Sequence, residues 1–512
     1  MSENQFYYKP NPAKKSGAHR TPKKKNIALR RTGFIFVTAA VVIAMVAGGA
    51  FFYAKSKFNS IKKVSVAHLD AQITDQPINI LLVGNNSRSI LNGKQASAFG
   101  TGAQVGGARS DVTMIAHLDP KTKTVTLVSI PRDLFLPIPG STKSNRVDAA
   151  LNQGPGQLVA TIEQDLGIPI QHYAELNFDS FQSLVNALGG LYMYFPYYVK
   201  DAQTGLNITQ KGCIYLNGTQ ALALVRSREL YYSADGVNYT PDGLGDLSRI
   251  RRDHEFLKVL ASQVKQKGIS NPLKLNSILS SIFPYLSVDS SFTFNQVFSI
   301  ASTFRSITPS NVGSVTLPIA FANNYTYAGA NYGDVVFAAQ PQDMTIIQQS
   351  LGIAVPSIPK NSFTVSVLNG TGTYNQAKEV ATGLGSLGYN VTSTGNTTVY
   401  GNSLETVVRY QPGRLQDAQR IMADLSGPVV MGMGSITTGT DVEVITGNQL
   451  TVASTSSPTT TNATSNSTSN KSTATQVTST APAITAPVTL PATQSNQALQ
   501  PWDPRACPTQ AG

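Results

Sequence analysis

Between Thr32 and Ala54 the chain reads TGFIFVTAAVVIAMVAGGAFFYA without one charged residue. That stretch is long enough to cross a hydrocarbon core of roughly 30 Å as a helix. Beyond it the pattern changes to short apolar runs cut by turn residues. Ile78 to Val83 predicts a buried strand ending at Gly84, and a Gly/Ala/Ser-rich loop follows. Asp111 to Leu118 and Thr124 to Ile130 predict two further strands, joined as a hairpin through Asp119-Pro120-Lys121-Thr122-Lys123. Apolar residues then recur at helical spacing. Leu158, Val159, Ile162 and Leu166 precede Gly167, and Phe178, Phe181, Leu184, Val185 and Leu188 precede Gly189. Gly218 to Val225 opens another helix, and Ile250, Leu257, Leu260 and Val264 give a further one its buried stripe. Mixed strands and helices of this kind predict an α/β domain with a central sheet over residues 77–352, after a polar stalk at 55–76.

A second, small α/β unit is predicted over residues 360–447, after the linker Pro356-Ser357-Ile358-Pro359-Lys360. It reads as strand Phe363–Leu368, a turn at Asn369-Gly370-Thr371-Gly372, helix Gln376–Leu387, strand Thr406–Tyr410 and helix Leu415–Leu425. Residues 448–512 are Ser/Thr/Asn/Pro-rich, with Lys471, Asp503 and Arg505 as their charges. Such a composition buries too little apolar surface to form a core, so this tail is expected to be disordered.

Charge adds a direction to this plan. The chain carries a net +12, but Lys9, Lys14, Lys15, Arg20, Lys23, Lys24, Lys25, Arg30 and Arg31 all lie in the basic segment 1–31, opposed by Glu3 alone. A basic flank before an apolar span stays in the cytoplasm, so 32–54 is read as a single-pass anchor of the cell membrane and all that follows as extracytoplasmic. A leader cleaved near Ala47-Gly48-Gly49-Ala50 competes with this; the length of the span and its long basic flank favour retention. Nucleic acid then drops out as a partner, because the remaining arginines lie outside the cytoplasm. Cys213 and Cys507 show no metal-ligand spacing and read as unrelated thiols, and five scattered histidines give no zinc site. The P-loop, H-E-x-x-H and G-x-S-x-G patterns are absent, and the glycines at 100, 102 and 106 are spaced wrongly for a dinucleotide fingerprint.

What remains is a recurrent pairing of arginine with aspartate near predicted element ends. It occurs at Arg109-Ser110-Asp111, Arg132-Asp133, Arg226-Ser227-Arg228 and Asp246-Leu247-Ser248-Arg249-Ile250-Arg251-Arg252. Arginine's planar fork matches phosphate with two parallel hydrogen bonds and keeps its charge at any working pH. A polyanion such as a pyrophosphate needs several forks converging. Taken singly, Arg132-Asp133 reads equally as an ion pair at a strand end, Arg226 and Arg228 as a helix C-terminal charge pair, and Arg251 as solvent-facing.

In order and spacing these motifs resemble the LytR-CpsA-Psr family. The match adds Leu81 to Arg88, Ser129-Ile130-Pro131, Arg146-Val147-Asp148-Ala149-Ala150, Leu188-Gly189-Gly190 and Leu216 to Leu222. Val365 to Thr371 and Leu387 to Val391 are similar to the LytR C-terminal domain often attached to it. The resemblance implies an α/β/α layered domain and a phosphotransferase of cell-wall biogenesis. Such an enzyme moves a glycopolymer from a polyprenyl-pyrophosphate carrier to peptidoglycan through a phosphodiester, at the membrane. It places Asp111, Arg109 and Arg132 at the chemistry. Arg88, Arg226, Arg228, Arg249, Arg252 and Asp246 fall on the substrate, with Asp133 and Asp246 orienting arginines. Mg²⁺, or Mn²⁺, would sit at Asp111 and Asn86. Two positions depart from the family pattern, which usually has aspartate at Asn86 and glutamine at Asp253. Those departures keep open a non-catalytic polymer-binding or scaffold protein, and a lipid-pyrophosphate hydrolase is a third reading.

Overall fold

The computed structural model describes residues 53–85, 109–141, 143–267, 283, 286–307, 311–397, 404–453 and 498–508. Residues up to Ser56 form one unit and everything below belongs to the second, from Lys57 onward. The basic segment 1–31, most of the anchor 32–54, Asn86 and Arg88 lie outside the described residues. Among the described residues no helix is long and apolar enough to cross a membrane.

The larger domain is built on a seven-stranded mixed sheet. Its strands are β1 (Lys62–Val64), β2 (Ile78–Asn85), β3 (Ser110–Asp119), β4 (Thr124–Ile130), β5 (His172–Asn177), β8 (Leu286–Asp289) and β9 (Val312–Thr316), in the order β1-β8-β5-β2-β3-β4-β9. Alternation along the strands explains why both faces are covered. Leu81 and Val83 of β2, Ile115 of β3 and Val128 of β4 join one core, with Leu158, Val159 and Ile162 of helix α1 (Pro155–Leu166). Ile80, Met114, Ala116 and Leu127 point the other way into a second core. Neighbouring side chains of a strand face opposite ways, so a sheet buried on both sides must be apolar at nearly every position. This is the layered α/β domain with a central mixed sheet that the sequence suggested. The segment read as a polar stalk contributes more than a tether: Phe58 and Ile61 are buried, and β1 pairs in parallel with β8.

On the second face lie helices α2 (Phe178–Ala187), α3 (Gly218–Arg226) and α4 (Asp246–Lys267), with the antiparallel pair of β6 (Leu191–Phe195) and β7 (Gly212–Leu216). A capping box starts α3: the Asn217 side chain accepts from the Gln220 N–H, and the Gln220 side chain accepts from the Asn217 N–H. The smaller domain has a five-stranded sheet of β10 (Thr364–Asn369), β11 (Asn390–Asn396), β12 (Thr406–Tyr410), β13 (Val429–Met433) and β14 (Val442–Thr446), ordered β11-β10-β14-β12-β13. Helices α5 (Gln376–Ser386) and α6 (Leu415–Met422) pack on it. It docks on the first domain: Val407 and Val430 join that domain's core, and the Tyr410 hydroxyl donates to the Gln164 carbonyl at 2.9 Å.

Residues 498–508, within the stretch expected to be disordered, fold back onto the larger domain. Arg505–Ala506 (β15) pairs antiparallel with β6, and Cys507 forms a disulfide with Cys213 of β7. The two cysteines are therefore partners, not unrelated thiols. Arg251, expected to face solvent, is 4% exposed and held by Asp503. Local spacing gave no sign of a partner arriving from so far along the chain.

Candidate active site

Strands β2, β4 and β5 run the same way, so their carboxyl ends open on one edge of the sheet. Ligands of open α/β sheets bind at such an edge. The antiparallel β3 starts there, and a register shift between the Gly84–Val112 and Asn85–Ser110 pairs leaves Asp111 at the end of β2. Arg132 and Asp133 follow β4 directly, and α2 begins as β5 ends. Helix α4 crosses this edge, pinned by a 2.8 Å contact between His254 Nε2 and Ser129 Oγ of β4. Burial pushes the His254 imidazole down to about 4, so it is neutral and structural.

The side chains gathered here interlock. Arg132 bonds the Asp111 carboxylate through Nη1, lies 3.5 Å from Asp133 through Nε and 3.8 Å from Asp148 through Nη2. Arg228 donates to Asp133 at 2.7 Å and lies 3.4 Å from Asp246. Arg249 meets Asp246 at 3.0 Å and Asp253 at 3.9 Å, and donates to the Asp111 carbonyl at 2.6 Å. Asp246 thus sits between Arg228 and Arg249. Arg146 and Asp148 belong to the same cluster: Arg146 Nε lies 3.4 Å from Asp133, and Asp148 interacts with both Arg132 and Arg109. Neither was singled out from sequence, although both sit in the quoted Arg146-Val147-Asp148 motif. Burial pushes Asp148 up to about 6, against the pull of Arg132 and Arg109. Burial likewise raises Asp253 to about 7, opposed by Arg249 and Arg252.

Against this cluster lies an apolar cavity of about 280 Å³. Gly84 and Val112 at the sheet edge, Phe178 and Phe181 of α2, Leu222 and Val225 of α3, and Phe256 and Leu257 of α4 line it. Asp111, Arg226, Arg249 and Asp253 share the same wall, and the Arg226 guanidinium stacks over the Phe178 ring at 4.3 Å. The arrangement suits a molecule with an anionic head and a long apolar body.

One residue assigned to the substrate does not belong here. Arg252 is 1% exposed, bonded to Asp242 and to the Ser227 carbonyl, and 3.8 Å from Asp503. It shares a helix face with Arg249, yet its long side chain turns to other carboxylates and, unlike that of Arg249, does not line the cavity. For a metal, Asp111, Glu175 and Asp253 are the acidic groups at the cavity wall, and Asp111 is already bound to Arg132. Among the described residues no three histidine, cysteine or acidic side chains form a ready cage. Mg²⁺ commonly uses one or two carboxylates plus substrate phosphates, so Asp111 fits as a partial ligand.

Comparison with known proteins gives the context. The model of the LytR-CpsA-Psr family matches residues 49–349, more than half of the chain, and that of the LytR cell envelope-related transcriptional attenuator matches 362–449. A Corynebacterium glutamicum protein named "Probable cell wall biosynthesis protein LcpB" is 34% identical over 203 residues, covering 40% of this chain and 46% of that protein. The chain thus spans less than half of that relative. A protein of Enterococcus faecalis named polyisoprenyl-teichoic acid–peptidoglycan teichoic acid transferase TagU is 27% identical, over 64% of this chain and 97% of its own. Among solved structures, the LytR-Csp2A-Psr enzyme of Actinomyces oris aligns with 57% of this chain and 96% of its own, at 22% identity and a TM-score of 0.44.

Proposed function

The chain belongs to the LytR-CpsA-Psr family, and from that premise we propose that it transfers a glycopolymer from a polyprenyl-pyrophosphate carrier to peptidoglycan. The observation that carries this reading is the meeting of an arginine cluster with an apolar cavity at one sheet edge. The cavity takes the first part of the polyprenyl chain, and Arg226 and Arg249 on its wall meet the pyrophosphate. Relatives named as teichoic acid transferases support the same substrate class.

In the transfer, a sugar hydroxyl of peptidoglycan attacks the phosphorus that carries the glycopolymer. A new P–O bond forms as the bond to the bridging oxygen breaks, and polyprenyl phosphate leaves with the pair. The guanidiniums stabilise the charge that grows on that leaving group, worth about 2.7–4 kcal/mol per well-placed donor. Asp111, held in place by Arg132, takes the hydroxyl proton or holds Mg²⁺. When bound, Mg²⁺ neutralises charge on the phosphate oxygens. The uncharged span 32–54 anchors the domain at the outer face of the cell membrane, where a lipid-linked donor lies.

The test supplies full-length protein with a polyprenyl-pyrophosphate-linked glycopolymer, peptidoglycan and Mg²⁺ or Mn²⁺. Phosphodiester-linked polymer on peptidoglycan is the expected product. Lipid binding with no transfer under either metal would move the protein to the scaffold reading, for which Asn86 and Asp253 are the motive. Phosphate release that needs no acceptor would make it a hydrolase.

A further inference from the structure

Arg251 and Arg252 form a second charged centre, behind the site and away from the cavity. Their side chains are 2% and 0% exposed, and buried guanidinium groups need carboxylates in bonding contact. Asp242, just before α4, bonds Arg252 and lies 3.3 Å from Arg251. The other carboxylate arrives from residue 503. Asp503 is fully buried, accepts from Arg251 Nε at 2.6 Å and Nη2 at 3.2 Å, and stands 3.8 Å from Arg252. Arg252 in turn donates through Nη2 to the Ser227 carbonyl at 2.7 Å. Ser227 lies between Arg226, which lines the cavity, and Arg228, which joins the cluster. A continuous chain of bonds therefore runs from Asp503 through Arg251, Asp242 and Arg252 to the backbone that sets both arginines.

The segment carrying Asp503 is seated by several independent contacts. Beside the β15–β6 pairing and the disulfide, Trp502 stacks on Tyr232 with ring centres 4.1 Å apart and planes 2° from parallel. Its indole N–H donates to Asp242 at 3.2 Å, so segment and arginine pair share one carboxylate. The Ala506 N–H donates to Glu255 of α4 at 3.0 Å.

We infer that residues 498–508 complete the catalytic domain and that Asp503 is a positioning residue, acting through Arg252 to fix Arg226 and Arg228 on the substrate's pyrophosphate. The inference rests on the reading of the site given above. It is tested with the full-length Asp503→Asn variant, in which the disulfide still tethers the segment. Inorganic pyrophosphate and a short polyprenol serve as separate probes of the head and tail sites. Trp502 is the single tryptophan of the sequence, so acrylamide quenching of its fluorescence reports whether the segment stays seated.

Pyrophosphate should bind about 10-fold more weakly and transfer should slow by about 10- to 100-fold, the range typical of a supporting side chain, while polyprenol affinity stays unchanged. A purely structural role would weaken both probes together. Unchanged pyrophosphate affinity with Trp502 still shielded would overturn the inference. If the variant misfolds, a chain ending at residue 497 decides the matter with added peptides. A peptide of residues 498–512 should restore pyrophosphate binding saturably, and the same peptide with Asp503→Asn should not; equal rescue, or no need for rescue, overturns the inference. Wild-type protein whose pyrophosphate binding depends on Asp503 but which transfers nothing would sink the proposed function and leave this positioning role standing.

Discussion

Arg132 and Arg228 both reach Asp133, but removing them should have different consequences. The Arg132 side chain is 18% exposed and serves Asp111, Asp133 and Asp148, the last only 1% exposed. Arg132→Ala leaves buried carboxylates without their counter-charge and should cost about 3 kcal/mol in chemical denaturation. Arg228 is 39% exposed, so Arg228→Ala should stay within about 1 kcal/mol of wild type while slowing transfer by roughly 100-fold or more. Asp253 gives a pH signature. Its folded value, about 7, lies above its ordinary 3.8, so the unfolded chain gives up this proton first as pH rises. Stability from this group is complete below pH 4, declines towards pH 7 and is lost above it. Asp253→Asn should therefore match wild type in melting temperature near pH 4 and exceed it by a few degrees at pH 8. At this scale the sequence revealed which residue types gather, but not their partners. Arg249 and Arg252 are three apart on α4, yet the carboxylates within reach decide where each long side chain goes.

Among the elements, the cavity depends on three helices and four strands meeting at one edge. Ala174 of β5 lines it with little bulk. Ala174→Phe should occupy that space and abolish polyprenol binding, measured by fluorescence titration, with inorganic pyrophosphate affinity within about 2-fold of wild type, since tail and head sites are separate. Most of these elements were legible because each declares its own period: β2, β3 and β4 as apolar runs between turn residues, and α1 and α2 as spaced leucines, valines and phenylalanines closed by glycine. β1 was hidden by its lysines, since Lys62 and Lys63 make an edge strand look like a tether. β15 was hidden for a different reason. Two residues have no period, and their partner strand lies some three hundred positions earlier, so nothing local distinguishes them from the polar tract before them.

Across the whole molecule, the two domains meet over acids whose carboxyls burial keeps protonated. Burial pushes Glu405 up to about 8 despite a bond from Ser144 and the nearby Arg409, and pushes Glu163 to about 8 as well. Asp165, buried beside them, is raised well above the carboxylate range. Each folded value exceeds the unfolded one, so stability present below about pH 4.5 is lost as pH climbs through 8. Limited proteolysis between residues 352 and 362 should be faster at pH 9 than at pH 6, and Glu405→Gln should reduce the difference. The disulfide and the buried Asp503 have a consequence for synthesis. A ribosome that has just made Arg251 must add 252 more residues before Asp503 exists, roughly ten to fifty seconds at ordinary elongation rates. Throughout that interval the outer edge of β6 has no strand to cover it and two cations await half of their counter-charge. The nascent domain is therefore held one piece short of working order, and any extended peptide that reaches the bare edge first competes with the chain's own closing segment.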